Sequence, residues 1–166
     1  MARGQGLADV LVERGYQTLS AVPYDGAFWN RRRTHASYGY QRSLFVDDFE
    51  AGQDVGWGLS DRDFLDQAAD VLAVADKPLA AYLLTLSLHH PFDGFPPHLE
   101  ELDVGAWEGT PFGNFLHTMR FFDSSLADFV TALERQGLAD NTVILFVADH
   151  GDMMGDHGLL WKAYYT

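Results

Sequence analysis

A chain of 166 residues in which 47% are hydrophobic carries enough apolar material for a globular domain and is not a disordered tail. Eleven basic residues against 24 acidic ones leave a formal charge of −13, a field that repels polyanions and argues against general nucleic-acid binding. The absence of cysteine excludes disulfides, zinc–thiolate sites and a thiol nucleophile, and no apolar run approaches the ~18 residues of a membrane-spanning helix.

In chain order, Leu7, Val10 and Leu11 share a face and Gly15 follows as a stop, so residues 7–14 are expected to form a short helix. Residues 16–22 read as a strand, with Pro23-Tyr-Asp-Gly26 as the turn beyond it. Residues 27–58 are rich in aromatics, glycine and arginine without a clear period. They are expected to be a functional loop region with one short strand at 43–46. Ser60 caps a helix over 61–75 whose Phe64, Leu65, Ala68 and Leu72 lie on one face. Pro78 breaks that pattern, and residues 79–88 read as a fully apolar strand that ends in the loop 89–97.

Thr110 followed by Pro111 is a helix start, a cap with proline at the first helical position. Phe112, Phe115, Leu116, Met119, Phe122, Leu126, Phe129, Val130 and Leu133 trace a stripe that reads as core packing, and Gly137 terminates it. Val143 to Val147 is a continuous apolar run, the pattern of a strand buried on both faces of a parallel sheet. Alternating strands and helices predict an α/β fold with a mostly parallel sheet flanked by helices, in a single domain spanning 1–166.

Candidate chemistry gathers where these strands end. In an open parallel sheet the ligand crevice lies beyond the carboxyl ends of the strands. Asp149 and His150 stand at that end of the 143–147 run, and Asp152, Asp156 and His157 follow within eight residues. Carboxylate oxygen with imidazole nitrogen suits Mn, Zn or Fe, and added carboxylates extend the choice to Mg or Ca. The competing reading is that the pair merely caps a turn. His89-His90 closes the other apolar strand in the same topological place, where one of the two can serve as proton donor or anion ligand. In Phe28-Trp29-Asn30-Arg31 a guanidinium stands beside an indole, a device for gripping a phosphate or sulfate and its polyol; Arg32 and Arg33 read as solvated charge. Lys162, just after the acidic loop, is placed to contribute charge to an oxyanion.

Together these pieces resemble the alkaline-phosphatase superfamily, in its sulfatase and phosphoglycerol-transferase branch. The run from Asp140 to Asp152 is similar to the sulfatase pattern, and Gly155-Asp-His-Gly-Leu-Leu-Trp-Lys162 extends it. Phe28-Trp-Asn-Arg31 and Thr85-Leu-Ser-Leu-His-His-Pro-Phe92 resemble the lipoteichoic acid synthase group, whose members transfer glycerol phosphate from a membrane lipid. By that resemblance Asp149 and His150 match metal ligands, with Mn the usual ion in the synthases and Ca, Mg or Zn as alternatives. His89 matches the histidine on the substrate phosphate, Trp29 and Arg31 match the headgroup-holding residues, and His157 and Lys162 match groups that approach the transferred oxyanion.

The resemblance also implies an alkaline-phosphatase-like fold and a phosphate- or sulfate-ester substrate, such as a lipid headgroup or glycan. It places the nucleophile and one acidic metal ligand upstream of everything matched. The chain is therefore expected to be a carboxyl-side fragment of a sulfatase-like catalytic domain, inactive alone. Relatives of this kind work at the periplasmic or cell-surface side of a membrane, on an N-terminal anchor missing here. One departure is that Val22, Pro23, Tyr24 and Asp25 stand where synthases often carry a histidine. Two other readings remain at this point: a non-catalytic metal- or anion-binding module, and a plain structural domain.

Overall fold

The computed structural model describes residues 5–151, 153–154 and 160–161. At its centre lies β1 (Gln17–Ala21), hydrogen-bonded on one side to β2 (Arg42–Leu44) and on the other to β5 (Leu79–Leu83), both parallel to it. The register sets Ser20 opposite Ser43 and Tyr82, and Ala21 opposite Leu44 and Leu83. Two further pairs are antiparallel hairpins: β3 (Asp54–Val55) with β4 (Gly58–Leu59), and β6 (Met153–Met154) with β7 (Leu160–Trp161). The helices are α1 (Leu7–Glu13), α2 (Arg31–Ser37), α3 (Asp61–Val74) and α4 (Pro111–Arg135). This is an α/β fold with a parallel sheet, as the alternation of elements predicts.

Side chains alternate across a strand, and β1 uses the two faces differently. Leu19 and Ala21 join Leu44, Phe64, Leu65, Ala68, Ala69, Leu72, Phe129 and Leu133 in one apolar cluster, so α3 and α4 cover that face. Thr18 and Ser20 point the other way and are equally buried. There Ser20 Oγ meets His35 Nδ1 of α2 at 2.8 Å and donates to Ser43 Oγ at 2.8 Å, while Thr18 Oγ1 donates to the Gly39 carbonyl. Burial, then the charge of Arg31, hold the His35 pKa below its ordinary value, and with the Ser20 proton given to Ser43 the His35 Nδ1 donates to Ser20 Oγ.

Local chemistry explains the helix ends. Ser60 Oγ accepts from the Asp63 amide at 3.1 Å and donates to the Asp63 carboxylate at 2.8 Å. Thr110 Oγ1 accepts from the Gly113 amide at 3.0 Å, and Pro111 supplies a fixed φ at the first turn. Gly137, at φ +69°, takes the left-handed stop that ends α4.

Four expectations need correction. Arg31–Ser37 is a helix within the stretch that showed no period, because its one buried residue is a histidine and there is no apolar stripe to count. The strand at 79–88 stops at Leu83, since the amides beyond it turn to other partners described below. On α4 the buried face turns from Met119, which is exposed, toward Phe121, with His117, Thr118 and Ser125 buried beside it. Finally, the run at 143–147 forms no strand: Val143 is 87% exposed and Val147 79%. An apolar run is buried on both faces only when strands and helices stand on either side of it. Here Phe146 instead leans on Phe122 of α4, ring centroids 5.8 Å apart. Among the described residues, no helix is long and apolar enough to cross a membrane.

Phe64 has no exposed surface and meets Phe49 edge-on at 5.4 Å, centrally in the α3–α4–sheet core. Phe64→Ala should cost about 3–5 kcal/mol in urea unfolding, through lost burial and the cavity left behind. A loss below about 1 kcal/mol would mean that this cluster is not the core.

Candidate functional site

The segments that leave the carboxyl ends of β1 and β5 carry Trp29, Arg31 and His89. Beyond β1 the chain runs through fully buried Val22 to Tyr24 and a 3-10 turn at Phe28–Asn30. Trp29 (φ 51°) and Asn30 (φ 56°) both occupy the left-handed region, a conformation that costs of order 1 kcal/mol or more for a side-chain-bearing residue. The strained turn leaves the indole of Trp29 80% exposed and stacked on Phe28 at 5.3 Å with a 13° interplanar angle. Arg31 opens α2 with its guanidinium 5.2 Å from the centroid of Phe28. Partial burial lowers its pKa, and Tyr82 and Tyr24 oppose that shift.

The β3–β4 hairpin supplies a residue that sequence reasoning missed. Its tip is Gly56-Trp57, with Gly56 at φ +66°. A Cβ on Gly58 would fall 2.3 Å from the Pro23 carbonyl oxygen, so the hairpin backbone lies directly on the loop beyond β1. That approach sets Trp57 6.2 Å from Tyr24, 6.0 Å from Phe28 and 4.2 Å from the His89 ring. Rings therefore run without a break from Trp29 through Phe28 and Trp57 to His89 and His90. The signal was an indole flanked by two glycines, visible in the sequence but without a stated partner.

His89 owes its place to another missed residue. Asp61 has no exposed surface, and its carboxylate accepts from the Leu86 amide at 2.8 Å and the Ser87 amide at 3.2 Å. Its own amide donates to Ser87 Oγ at 3.0 Å. The first residue of α3 thus clamps the chain just beyond β5, three residues before His89. Burial pushes the Asp61 pKa up to about 6 against the downward pull of those hydrogen bonds. The signal was an acid directly after the Ser60 cap, which reads equally well as an ordinary first-turn carboxylate.

The tautomers follow from carbonyl partners, which can only accept. His89 Nδ1 donates to the His90 carbonyl, placing the ring's acceptor lone pair on Nε2. His150 Nδ1 donates to the Gly151 carbonyl at 3.1 Å, and its Nε2 lies 3.4 Å from Asp149 Oδ2. An imidazole oriented by a backbone carbonyl and facing a carboxylate across such a gap is a donor set that fits a divalent ion. The charge of Asp149 also reaches Tyr82 of β5, where it raises the phenol pKa after burial, while Arg31 lowers it. Arg31 and Asp149 therefore flank one tyrosine.

The structure thus brings Trp29, Arg31 and His89 onto one aromatic platform and pairs Asp149 with His150. His157 and Lys162 lie outside the described residues. Arg32 pairs with Asp47 at 2.8 Å and Arg62 with Glu101 at 3.2 Å, so neither cation turns to the platform. A separate surface cleft of about 370 Å³ between α3 and α4, with Arg62, Asp63, Asp66 and Asp128 in its walls, shares no residue with this cluster.

The family model described as Sulfatase matches residues 1–166. Over 156 residues the chain is 30% identical to the lipoteichoic acid synthase of Staphylococcus saprophyticus, covering 92% of this chain and 24% of that protein. The fold is similar to the crystal structure of the lipoteichoic acid synthase LtaP from Listeria monocytogenes, with TM-score 0.77, 24% identity, and coverage of 82% of this chain and 34% of that one. It is also similar to the Streptococcus pyogenes phosphoglycerol transferase GacH in complex with sn-glycerol-1-phosphate, with TM-score 0.50, 17% identity, and coverage of 73% and 33%. The chain spans about a quarter of the length of the curated relative.

Because Asp61 binds its proton more tightly folded than unfolded, the stability it contributes is full below pH ~4 and is lost as pH rises through about 6. Thermal melts of Asp61→Asn and the unchanged chain should therefore diverge across that window, by up to about 3 kcal/mol. Superimposable pH profiles would show that Asp61 does not titrate there.

Proposed function

Since the chain belongs to the sulfatase family, within the lipoteichoic-acid-synthase-like branch of the alkaline-phosphatase superfamily, we propose that it forms the headgroup-binding and metal-holding part of an enzyme that transfers or hydrolyses a phosphate or sulfate ester. Glycerol phosphate, the ligand of the GacH complex, is the first candidate substrate. Its source would be a lipid headgroup or a glycan, at the periplasmic or cell-surface side of the membrane. Residues 1–166 would make one domain, part of a larger sulfatase-like catalytic unit. The observation that carries this reading is the platform itself: one guanidinium, one exposed indole and one imidazole gathered at the carboxyl edge of a parallel sheet, beside a carboxylate–imidazole pair.

Each group has a distinct task. The planar fork of Arg31 suits two nonbridging oxygens at once, and its positive charge stands out against an acidic chain. Trp29 offers a flat apolar face to the carbon skeleton of the polyol. His89, whose Nδ1 proton is held by the His90 carbonyl, would donate to a phosphoryl oxygen only as the imidazolium, with a second proton on Nε2, as negative charge builds there. Asp149 and His150 would hold a divalent ion, Mn first and Ca, Mg or Zn as alternatives, while His157 and Lys162, further along, would approach the transferred oxyanion. That ion, when bound, neutralises charge on the transferred group and lowers the pKa of an attacking hydroxyl.

The reaction divides into two displacements. In the first, a hydroxyl nucleophile forms a bond to phosphorus and the lipid or glycan alcohol departs with a proton. In the second, an acceptor hydroxyl attacks the same phosphorus and the enzyme hydroxyl is regenerated. The resemblance puts the family's nucleophile upstream of the residues matched here, and on that reading the chain by itself would bind without turning over.

Calorimetry with sn-glycerol-1-phosphate and Mn tests this. Arg31→Ala should weaken binding by about tenfold or more, and Arg31→Lys should recover only part of it because the fork is lost. His89→Ala and Trp29→Ala should each weaken it less. Binding unaffected by all of these would overturn the assignment. Turnover of a chromogenic phosphodiester that Asp149→Ala abolishes would make the chain an enzyme on its own.

A further inference from the structure

Helix α4 buries a histidine that the described residues leave unsatisfied. His117 is 1% exposed, and neither Nδ1 nor Nε2 has a hydrogen-bond partner. A buried imidazole carries a desolvation cost that a partner normally offsets. The ring is held flat against Phe95, centroids 6.0 Å apart and planes within 8°. That stacking fixes where the nitrogens point but satisfies neither.

Nε2 points to the carboxylate Oε2 of Glu108 at 3.6 Å, beyond hydrogen-bonding distance. Glu100 completes the group: one ligand atom from each of Glu100, Glu108 and His117 lies within 4.8 Å of the other two. Two ligand atoms each ~2.1 Å from a shared ion, at tetrahedral or wider angles, stand about 3.4–3.6 Å apart. The Glu108–His117 gap therefore fits two ligands of one ion better than it fits a direct bond. Binding at Nε2 would also give one of the two orphan nitrogens its partner.

We propose that Glu100, Glu108 and His117 form a divalent-cation site, distinct in every residue from the Asp149–His150 pair. One imidazole and two carboxylates, without thiolate, suit Zn(II) first and Mn(II) next. The Glu108 side chain is 57% exposed, which leaves a route for the ion and for a water at the remaining coordination position.

Its place in the chain indicates a structural task. Glu100 and Glu108 each follow a 3-10 turn, at Pro97–Leu99 and Gly105–Trp107, and His117 lies in the second turn of α4. An ion there ties residues 100–108 to the helix. The same stretch of α4 already holds the loop that carries His89: Asn114 Nδ2 donates to the Phe92 carbonyl at 2.6 Å, and Phe115 meets Phe92 edge-on at 5.1 Å. The clip would stiffen the approach to the platform without touching its ligand.

The test begins from the chain with Asp149→Ala and His150→Ala, so that the other pair contributes nothing. Titration with zinc chloride, then manganese chloride, is followed by calorimetry and by melting temperature. One equivalent of Zn(II), a raised melting temperature and imidazole-plus-oxygen coordination in X-ray absorption are expected. Glu100→Gln and Glu108→Gln, which leave the apolar core alone, should each weaken binding by about tenfold or more; His117→Gln should abolish it. The absence of stoichiometric binding in the starting variant, or affinity unchanged by both glutamine substitutions, would overturn the proposal.

Discussion

A carboxylate with no exposed surface, at the first position of a helix, holds the business end of this molecule together. Asp61 receives two amides from the chain leaving β5 and gives its own amide to Ser87, so strand exit and helix start become one rigid piece. The hydrogen bonds from Leu86 and Ser87 favour negative charge on Asp61, while burial disfavours it. The pKa of about 6 is the balance of those opposed effects. His89 then follows from an anchored point and not from a free loop. Trp57 reaches it because the β3–β4 hairpin is pressed on Pro23 with no room for a side chain at Gly58.

The electrostatics of the site run against those of the chain as a whole. With a formal charge of −13, an anionic ligand meets repulsion at long range and must be won by short-range contacts. Arg31 is suited to that task because it lies over Phe28 and among tyrosines, whereas Arg32 and Arg62 are engaged by Asp47 and Glu101. On the proposed reading, selectivity for an ester carrying a polyol would come from the aromatic surface, which a bare inorganic anion cannot use.

The elements that sequence made legible are those whose chemistry is local. Helix α3 shows Ser60 as cap and Phe64, Leu65, Ala68 and Leu72 at helical spacing, and all of these are buried as expected. The start of α4 is equally plain from Thr110-Pro111. The elements that escaped depend on partners distant in sequence. Helix α2 has no apolar stripe because the face of β1 above it is polar, so nothing in residues 31–37 by themselves announces a helix. The 143–147 run shows the converse: its composition states that it would be buried on both faces given neighbours, and composition says nothing about whether they are present. For the site, sequence singles out Trp29, Arg31, His89, Asp149 and His150 as candidates by residue type, but the platform on which the first three lie needed Trp57, which periodicity cannot place.

The two-faced character of β1 has a further consequence. A sheet with oil on both sides tolerates a slipped strand, since every side chain finds an equivalent environment. Here a shift of one residue would drive Thr18 and Ser20 into the Leu19 cluster and present leucine to the imidazole of His35. Misalignment is penalised twice, once by stranded hydroxyls and once by wasted apolar surface. The central strand therefore acts as a ruler, and the edge of the sheet from which Arg31 and His89 depart inherits its accuracy.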